Sequence, residues 1–388
     1  MPVRDWNIML VCGEPSGDAL GAQLMAGLKQ LAGDRIRFCG VGGLAMAREG
    51  LQSLYPLDAT AVMGLREVVP AIPRILKRVN QAVEFAVRTK PDVVVVIDSP
   101  DFTHRVAQGI KRTDPSIRTV DYVAPQVWAS RAYRARKMAQ YFDLVLALFP
   151  FEVKFFEKYG LRAAFVGHPV IERASKVHGG EALRARLDIA SDAPLLALLP
   201  GSRTSEIRFI LPVFRDAVKI LAARIPGLVT VLPTVPHVAA KVRDATAGWP
   251  TVPHVVEGEA DKYAAFDAAD VALAASGTVT AELALAHTPM VVGYKVGGLT
   301  FFLSKFLMTV THITLINILL EREAVPEFLQ SRCTPNNLAE AVERLFRDSG
   351  ARAAQIEAMT DFGHRLGEGD EAPSLRAARV LLEFLERP

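Results

Sequence analysis

Two turns in this chain carry residues suited to hold a polyanion. In the first, Leu195-Leu196-Ala197-Leu198-Leu199 reads as a buried strand, Pro200-Gly201-Ser202 as a tight turn and Arg203-Thr204-Ser205-Glu206 as a helix start. A helix start leaves N–H groups unpaired at the positive end of the helix dipole, so it favours anions. Arg203 adds a permanent, forked charge that suits phosphate. Glu206 has a competing use as the partner of Ser202 or Thr204 in a capping box. In the second turn, Ala272-Leu273-Ala274-Ala275 is followed by Ser276-Gly277-Thr278, which offers hydroxyl and backbone donors. Glu282, one turn into the next helix, can accept two ribose hydroxyls or serve as a helix-dipole carboxylate. Two such turns on neighbouring strands would grip one diphosphate, which points to a nucleotide-bearing substrate.

Two further segments lie after apolar runs. Gly13-Glu14-Pro15-Ser16-Gly17-Asp18 has glycines that allow close backbone approach, and Ser16 or Asp18 is expected to cap the next helix. It is neither a Walker P-loop nor a Gly-x-Gly-x-x-Gly fingerprint. Asp98-Ser99-Pro100-Asp101 ends the run Val93-Val94-Val95-Val96-Ile97. A carboxylate there is either a general base within reach of a reacting hydroxyl or the cap of the following turn. The Asp98/Asp101 spacing would also suit a metal. Helix-start anion sites with Arg203 can neutralise a diphosphate alone, so neither metal nor cofactor is expected.

Two stretches read as greasy. Residues 65–83 place Leu65, Val68, Val69, Ile72, Ile75, Leu76, Val79 and Val83 at helical spacing, flanked by Arg66, Arg74, Lys77 and Arg78. Pro70 and Pro73 are expected to confine the regular helix to the part after Pro73. Residues 299–307 hold Phe301, Phe302, Lys305 and Phe306. Each stretch is either a core stripe or an interfacial patch that admits acyl chains. Arg131, Arg134, Arg136 and Lys137, near Trp128, form a solvated helix face or a contact for lipid phosphate.

The elements that must position these residues follow from pattern. The 388 residues, half of them hydrophobic, suit two or three domains at ~150 residues each. A net charge of +3 fits anionic small substrates or a membrane surface and is too weak to argue for nucleic acid. Cys12, Cys39 and Cys333 cannot all pair and lack metal-ligand spacing, which suggests a reducing cytoplasm. Neither a secretory signal nor a transmembrane helix is expected; the nearest apolar stretch, 301–320, contains Lys305 and His312. Strand and helix patterns alternate over 1–169, Val166-Gly167-His168-Pro169 breaks them as a hinge, and they restart at Leu195 within a second domain at 170–370. Three helices close the chain, one capped by Thr334 with Pro335 at its first position. The expected class is α/β, two doubly wound Rossmann-like domains facing a cleft, with every candidate motif at the carboxyl end of a strand.

The segments at 13–18, 98–102, 125–128, 149–152, 166–169, 199–203 and 276–285 resemble, in order and over nearly the whole chain, those of the lipid-A-disaccharide synthases. The resemblance implies a GT-B type glycosyltransferase. It would move 2,3-diacylglucosamine from its UDP conjugate to the 6-hydroxyl of 2,3-diacylglucosamine 1-phosphate, with inversion and without a metal. It would work as a peripheral protein on the cytoplasmic face of the bacterial inner membrane. Carried over by residue, Asp98 becomes the base, and Glu14 and Ser16 line the acceptor side. Arg203, Glu206, Ser276, Gly277, Thr278 and Glu282 hold UDP, and Asn317, Glu327 and Gln330 lie toward the donor. Leu65, Val68, Val69, Ile72, Leu76, Phe301 and Phe302 become membrane or acyl contacts. Ile316 stands where the family usually has proline, and Ser130 where it often has a second tryptophan. A homodimer is compatible with the resemblance. It leaves open whether the helix at about 371–388 packs back on the first domain, and in which chain. Two other readings of the residues stand beside it: a UDP-N-acetylglucosamine 2-epimerase-like isomerase, and a non-catalytic UDP- or lipid-binding protein.

Overall fold

A computed structural model describes residues 5–57, 65–128, 133–174, 176–295 and 312–386; the side chains of 65–71 and 204–205 are not among those described. The chain forms two compact units, Met1–Pro169 with Gly369–Pro388, and Val170–Glu368.

The first unit carries a parallel sheet of β1 (Trp6–Cys12), β2 (Ile36–Val41), β3 (Val93–Ile97), β4 (Arg118–Tyr122), β5 (Leu144–Ala147) and β6 (Ala163–Phe165), in the order β2-β1-β3-β4-β5-β6. The second carries β7 (Leu195–Leu199), β8 (Val229–Thr234), β9 (His254–Glu257), β10 (Val271–Ala274), β11 (Met290–Tyr294) and β12 (Glu327–Leu329), also parallel, ordered β12-β11-β10-β7-β8-β9. Helices cover both faces of such sheets, so β3 and β7 are buried at every position and read as unbroken apolar runs. β2 and β12 carry no such run: they are edge strands with exposed or half-buried positions, and the sequence pattern did not reveal them. Strand order reverses between β1 and β3 in one unit and between β7 and β10 in the other. Ligands of open α/β sheets bind at the carboxyl ends beside such reversals.

The Pro373–Glu386 helix packs on the Pro15–Ala32 helix. Arg118 anchors its end by donating to the carbonyls of Phe384 and Leu385, at 3.0 and 3.2 Å. One expectation about the greasy stretch is corrected: the helix runs from Leu65 to Thr89 straight through Pro70 and Pro73. Each proline removes one backbone bond, and packing of the remaining turns against the Pro100–Thr113 helix outweighs that loss. The same stripe divides by face. Val79 joins the core, Ile75 and Val83 pack against it, and Ile72 and Leu76 stand 44% and 43% exposed. The side chains of Leu65, Val68 and Val69, and all of Ser130, Arg131, Phe301 and Phe302, lie outside the described residues.

Candidate functional site

At the first reversal, β1 and β3 deliver Ser16 and Asp98 to one point. The Ser16 hydroxyl donates to Asp98 Oδ2 at 2.9 Å, and the Ser99 N–H donates to Oδ1 at 2.7 Å. Asp98 and Ser99 both hold left-handed backbone, at φ 54° and 47°, and Val123, just past β4, holds φ 70°. Side-chain-bearing residues in that region are strained, by roughly 1–3 kcal/mol each, and Val is among the least tolerant. The bend turns the Asp98 carboxylate back over the end of the Pro15–Ala32 helix. Gly17 permits this approach, since a Cβ there would lie 3.0 Å from both the Ile97 carbonyl and Cys12 Cβ. Burial, then the charges of Asp18 and Asp98, push the Cys12 thiol up to about 12, so it stays an inert packing group.

The expected cap on the Pro15–Ala32 helix is absent: Glu14 is the N-cap residue and makes no side-chain capping bond. Ser16 faces Asp98 instead. Asp18, buried, reaches across to cap another element, accepting from the N–H groups of Gly43, Ala45 and Met46 at 2.7–3.0 Å. Asp101 is exposed in the first turn of the Pro100–Thr113 helix.

The other strand ends of this sheet gather the remaining motif residues. Trp128 meets Phe151 edge-on at 4.9 Å, Phe149 stacks on Phe151, and His168 lies 5.4 Å from Phe149. Glu152 is buried beneath them. It accepts from Trp128 Nε1 at 2.9 Å and from the N–H groups of Leu148 and Phe149. Burial pushes its carboxyl up to about 7 despite those three donors. Sequence reasoning had assigned no role to Glu152; its place next to a proline-led helix start was the available signal.

At the second reversal, β7 and β10 open into a cavity of about 480 Å³, lined among others by Arg203, Glu206, Ser276, Gly277, Thr278 and Glu282. The two anion turns are therefore brought together. The first turn, however, holds an anion of its own. Glu206 Oε2 accepts from the N–H groups of Ser202 and Arg203 at 3.1 and 3.2 Å, and Oε1 accepts from Arg203 Nη1 at 2.9 Å. Gly201, at φ 104°, lets the turn fold onto Glu206, whose Cβ would stand 2.8 Å from a Cβ at that position. In the second turn the Ser276 hydroxyl donates to the Ile313 carbonyl at 3.2 Å. Its proton is thus committed to the chain, while Gly277 and Thr278, at the start of the Thr278–Leu285 helix, also line the cavity.

Glu282 lies at the cavity wall, 6% exposed, among partners that sequence reasoning did not find. Arg173, Lys262 and the Tyr263 hydroxyl all reach its carboxylate at 3.0–3.2 Å. Burial, then the Glu282 charge, holds the Tyr263 phenol well above its usual range, so it remains a protonated donor.

Asn317, Glu327 and Gln330 are not among the cavity-lining residues. The Asn317 amide donates to the Val325 carbonyl and Glu327 Oε1 and accepts from Ala324 and Val325, which uses its full capacity. Glu327, on β12, accepts from the N–H groups of Ile313 and Thr314. Together they pin the segment whose Ile313 carbonyl holds Ser276, and Ile316 is fully buried beside them. Gln330 lines a separate groove with Lys295 and Cys333.

Known proteins resemble this chain in two ways, some in sequence and others in fold alone. The family profile described as lipid-A-disaccharide synthetase matches residues 8–374. Lipid-A-disaccharide synthase of Rhodospirillum centenum is 47% identical over 380 residues, covering 98% of this chain and 95% of that protein. That of Paramagnetospirillum magneticum is 44% identical, covering 98% of each. Among solved structures, a UDP-N-acetylglucosamine 2-epimerase superposes with a TM-score of 0.66 at 15% identity, over 99% of this chain and 97% of that one. The Neisseria meningitidis UDP-GlcNAc 2-epimerase, bound to UDP-GlcNAc, gives 0.64 at 13%, over 98% and 100%. The epimerases share the two-domain GT-B-like fold, and the sequence separates this chain from them. The chain belongs to the lipid-A-disaccharide synthase family, glycosyltransferases of lipid A biosynthesis.

Proposed function

We propose that this enzyme transfers 2,3-diacylglucosamine from UDP to the 6-hydroxyl of 2,3-diacylglucosamine 1-phosphate, with inversion at the anomeric carbon. The observation that carries the reading is the cavity between the β7 and β10 ends. It has the size of a small-molecule site. Arg203 and a helix start supply positive charge for a diphosphate, and Glu282 supplies an acceptor for ribose. The Neisseria epimerase, of the same fold, was solved with UDP-GlcNAc.

Asp98 takes the proton of the acceptor hydroxyl as the new C–O bond forms, and Ser16 keeps its carboxylate aimed. The C–O bond to UDP breaks, and the charge that develops on the diphosphate is met by Arg203 and by backbone donors already in place. Glu14, next to Ser16, belongs to the acceptor side. Asn317 and Glu327 act on the donor by holding the Ile313 segment against Ser276.

The diacylated substrates reside in a bilayer, and we place the enzyme peripherally on the cytoplasmic face of the inner membrane. Ile72 and Leu76, one turn apart and exposed on a helix with Arg74 and Lys77, support adsorption. Among the described residues no helix is long and apolar enough to cross a membrane.

The test is mass spectrometry of products from defined donor and acceptor lipids. The expected result is a disaccharide 1-phosphate and UDP only when both lipids are present. Conversion of the UDP-sugar without acceptor would instead establish an isomerase, and UDP binding without turnover a binding protein.

A further inference from the structure

Glu282 is held by more positive charge than one carboxylate needs. Its Oε1 has three donors around it: Arg173 Nη1 at 3.1 Å, Lys262 Nζ at 3.1 Å and the Tyr263 hydroxyl at 3.2 Å. Its Oε2 has Lys262 Nζ, at 3.0 Å. The donors come from separate elements: Arg173 from the Val170–Ala174 helix, Lys262 and Tyr263 from Glu259–Ala268. Lys262 also rests 4.3 Å above the Tyr263 ring, which fixes its ammonium in place.

A carboxylate offers about four lone-pair positions, two on each oxygen. Three donors crowd Oε1, so that atom has nothing left for a ligand. Oε2 keeps an open acceptor position, and Glu282 faces the cavity. Arg173 and Lys262 together outweigh the single charge of Glu282. The carboxylate therefore cannot rotate without breaking the contacts of three donors at once.

We propose that Arg173 and Lys262 are positioning residues for the nucleotide sugar: they clasp Glu282 so that Oε2 alone is presented to a ribose hydroxyl. The inference rests on the cavity being the UDP site and deepens it. Neither cation touches the diphosphate in this scheme. Their loss is felt through the ribose and spares the rest of the nucleotide.

Titration calorimetry with UDP and with 2′,3′-dideoxy-UDP separates the possibilities. A hydrogen bond to a charged group is worth about 1.5–3 kcal/mol, so the wild type should prefer UDP by about 10-fold or more. Arg173→Gln should weaken UDP by about 5–10-fold and leave dideoxy-UDP unchanged, so that the preference collapses; Arg173→Lys should restore most of it. Lys262→Met, a comparable volume without the charge, should act in the same direction. In turnover, donor KM should rise with kcat kept within about twofold, the signature of lost ground-state binding. An equal loss for both nucleotides in Arg173→Gln and Lys262→Met, or no loss for either, overturns the clasp. A wild type that binds UDP and dideoxy-UDP alike overturns Glu282 as the ribose acceptor, and the clasp with it. Both failures leave the UDP reading intact; a wild type that binds neither nucleotide overturns that reading.

Discussion

The two strand-order reversals of this protein solve one topological problem in opposite ways. Where β1 meets β3, the chain bends through side-chain-bearing residues, Asp98, Ser99 and then Val123 past β4, all left-handed. Where β7 meets β10, the first turn bends through Gly201, and a cavity opens. Glycine takes such a conformation freely, whereas aspartate, serine and valine are strained in it. Strain is retained where the side chain itself has work to do at that point, and glycine suits a turn whose backbone must approach a ligand. The first reversal thus presents one carboxylate on a stiff bend, as a proton acceptor requires. The second presents charge and N–H groups around open volume, as nucleotide binding requires.

Asp98→Asn is the largest test of that division. The amide keeps the shape and an acceptor for Ser16 but cannot take a proton. General-base removal typically costs 10²–10⁴-fold, so kcat should fall by about 10³. UDP affinity, which the proposed function assigns to the other unit, should stay unchanged by calorimetry. A variant that turns over like wild type would remove Asp98 from the chemistry, and one that loses UDP binding would show that the two reversals do not divide the work.

The units should also answer differently to pH. In the second, Glu206 and Glu282 are paired with cations. In the first, the donors to Glu152 among the described residues are neutral, and burial raises its carboxyl from 4.5 to about 7. Between those values the folded protein holds a proton that the unfolded chain releases. Its contribution to stability is therefore greatest below pH 4.5, declines as pH rises to about 7, and is level above. At about 1.4 kcal/mol per unit, the decline is on the order of 3 kcal/mol. Urea denaturation of Glu152→Gln between pH 5 and 7.5 should show that slope flattened relative to wild type. Parallel slopes would mean that Glu152 does not hold the proton.

Much of the fold was readable because its signals are local. The runs 93–97 and 195–199 are apolar throughout, and the turns after them carry their own glycine, proline and cap residues. The partnerships that give the candidate site its geometry are not local. Ser16 and Asp98 are 82 residues apart, and Arg173 and Glu282 are 109 apart. A short helix carrying Arg173 reads from sequence as linker, and only tertiary packing brings it to Glu282. Asp18 misled for the same reason: an aspartate near a helix start is a good local cap, yet it caps residues 25 to 28 positions on. Asn317 reads from sequence as a donor-side group, and nothing local in the sequence shows that its buried amide also makes four hydrogen bonds, to Ala324, Val325 and Glu327.

Glu206 gives the finest test, because the comparison of the two reversals assigns it two opposed effects. As a cap, it satisfies the Ser202 and Arg203 N–H groups and steadies the turn. As an anion, it pairs with the Arg203 guanidinium that the proposed function gives to the diphosphate. A diphosphate bound there would share the guanidinium with an internal partner, which lowers affinity while the site is kept folded in its absence. Glu206→Gln separates the effects, since the amide retains a carbonyl for the N–H groups and loses the charge. The stability loss should be about 1 kcal/mol or less, in line with weakened caps. UDP should bind several-fold tighter, about 3–10-fold at low salt, with the gain shrinking as salt screens the removed charge. Calorimetry at two ionic strengths reads both. If Glu206 is a cap and nothing more, melting temperature falls and UDP affinity does not rise at either. The β7 turn would then be a backbone site whose carboxylate is electrostatically silent, and Arg203 would be free to meet the diphosphate without exchange.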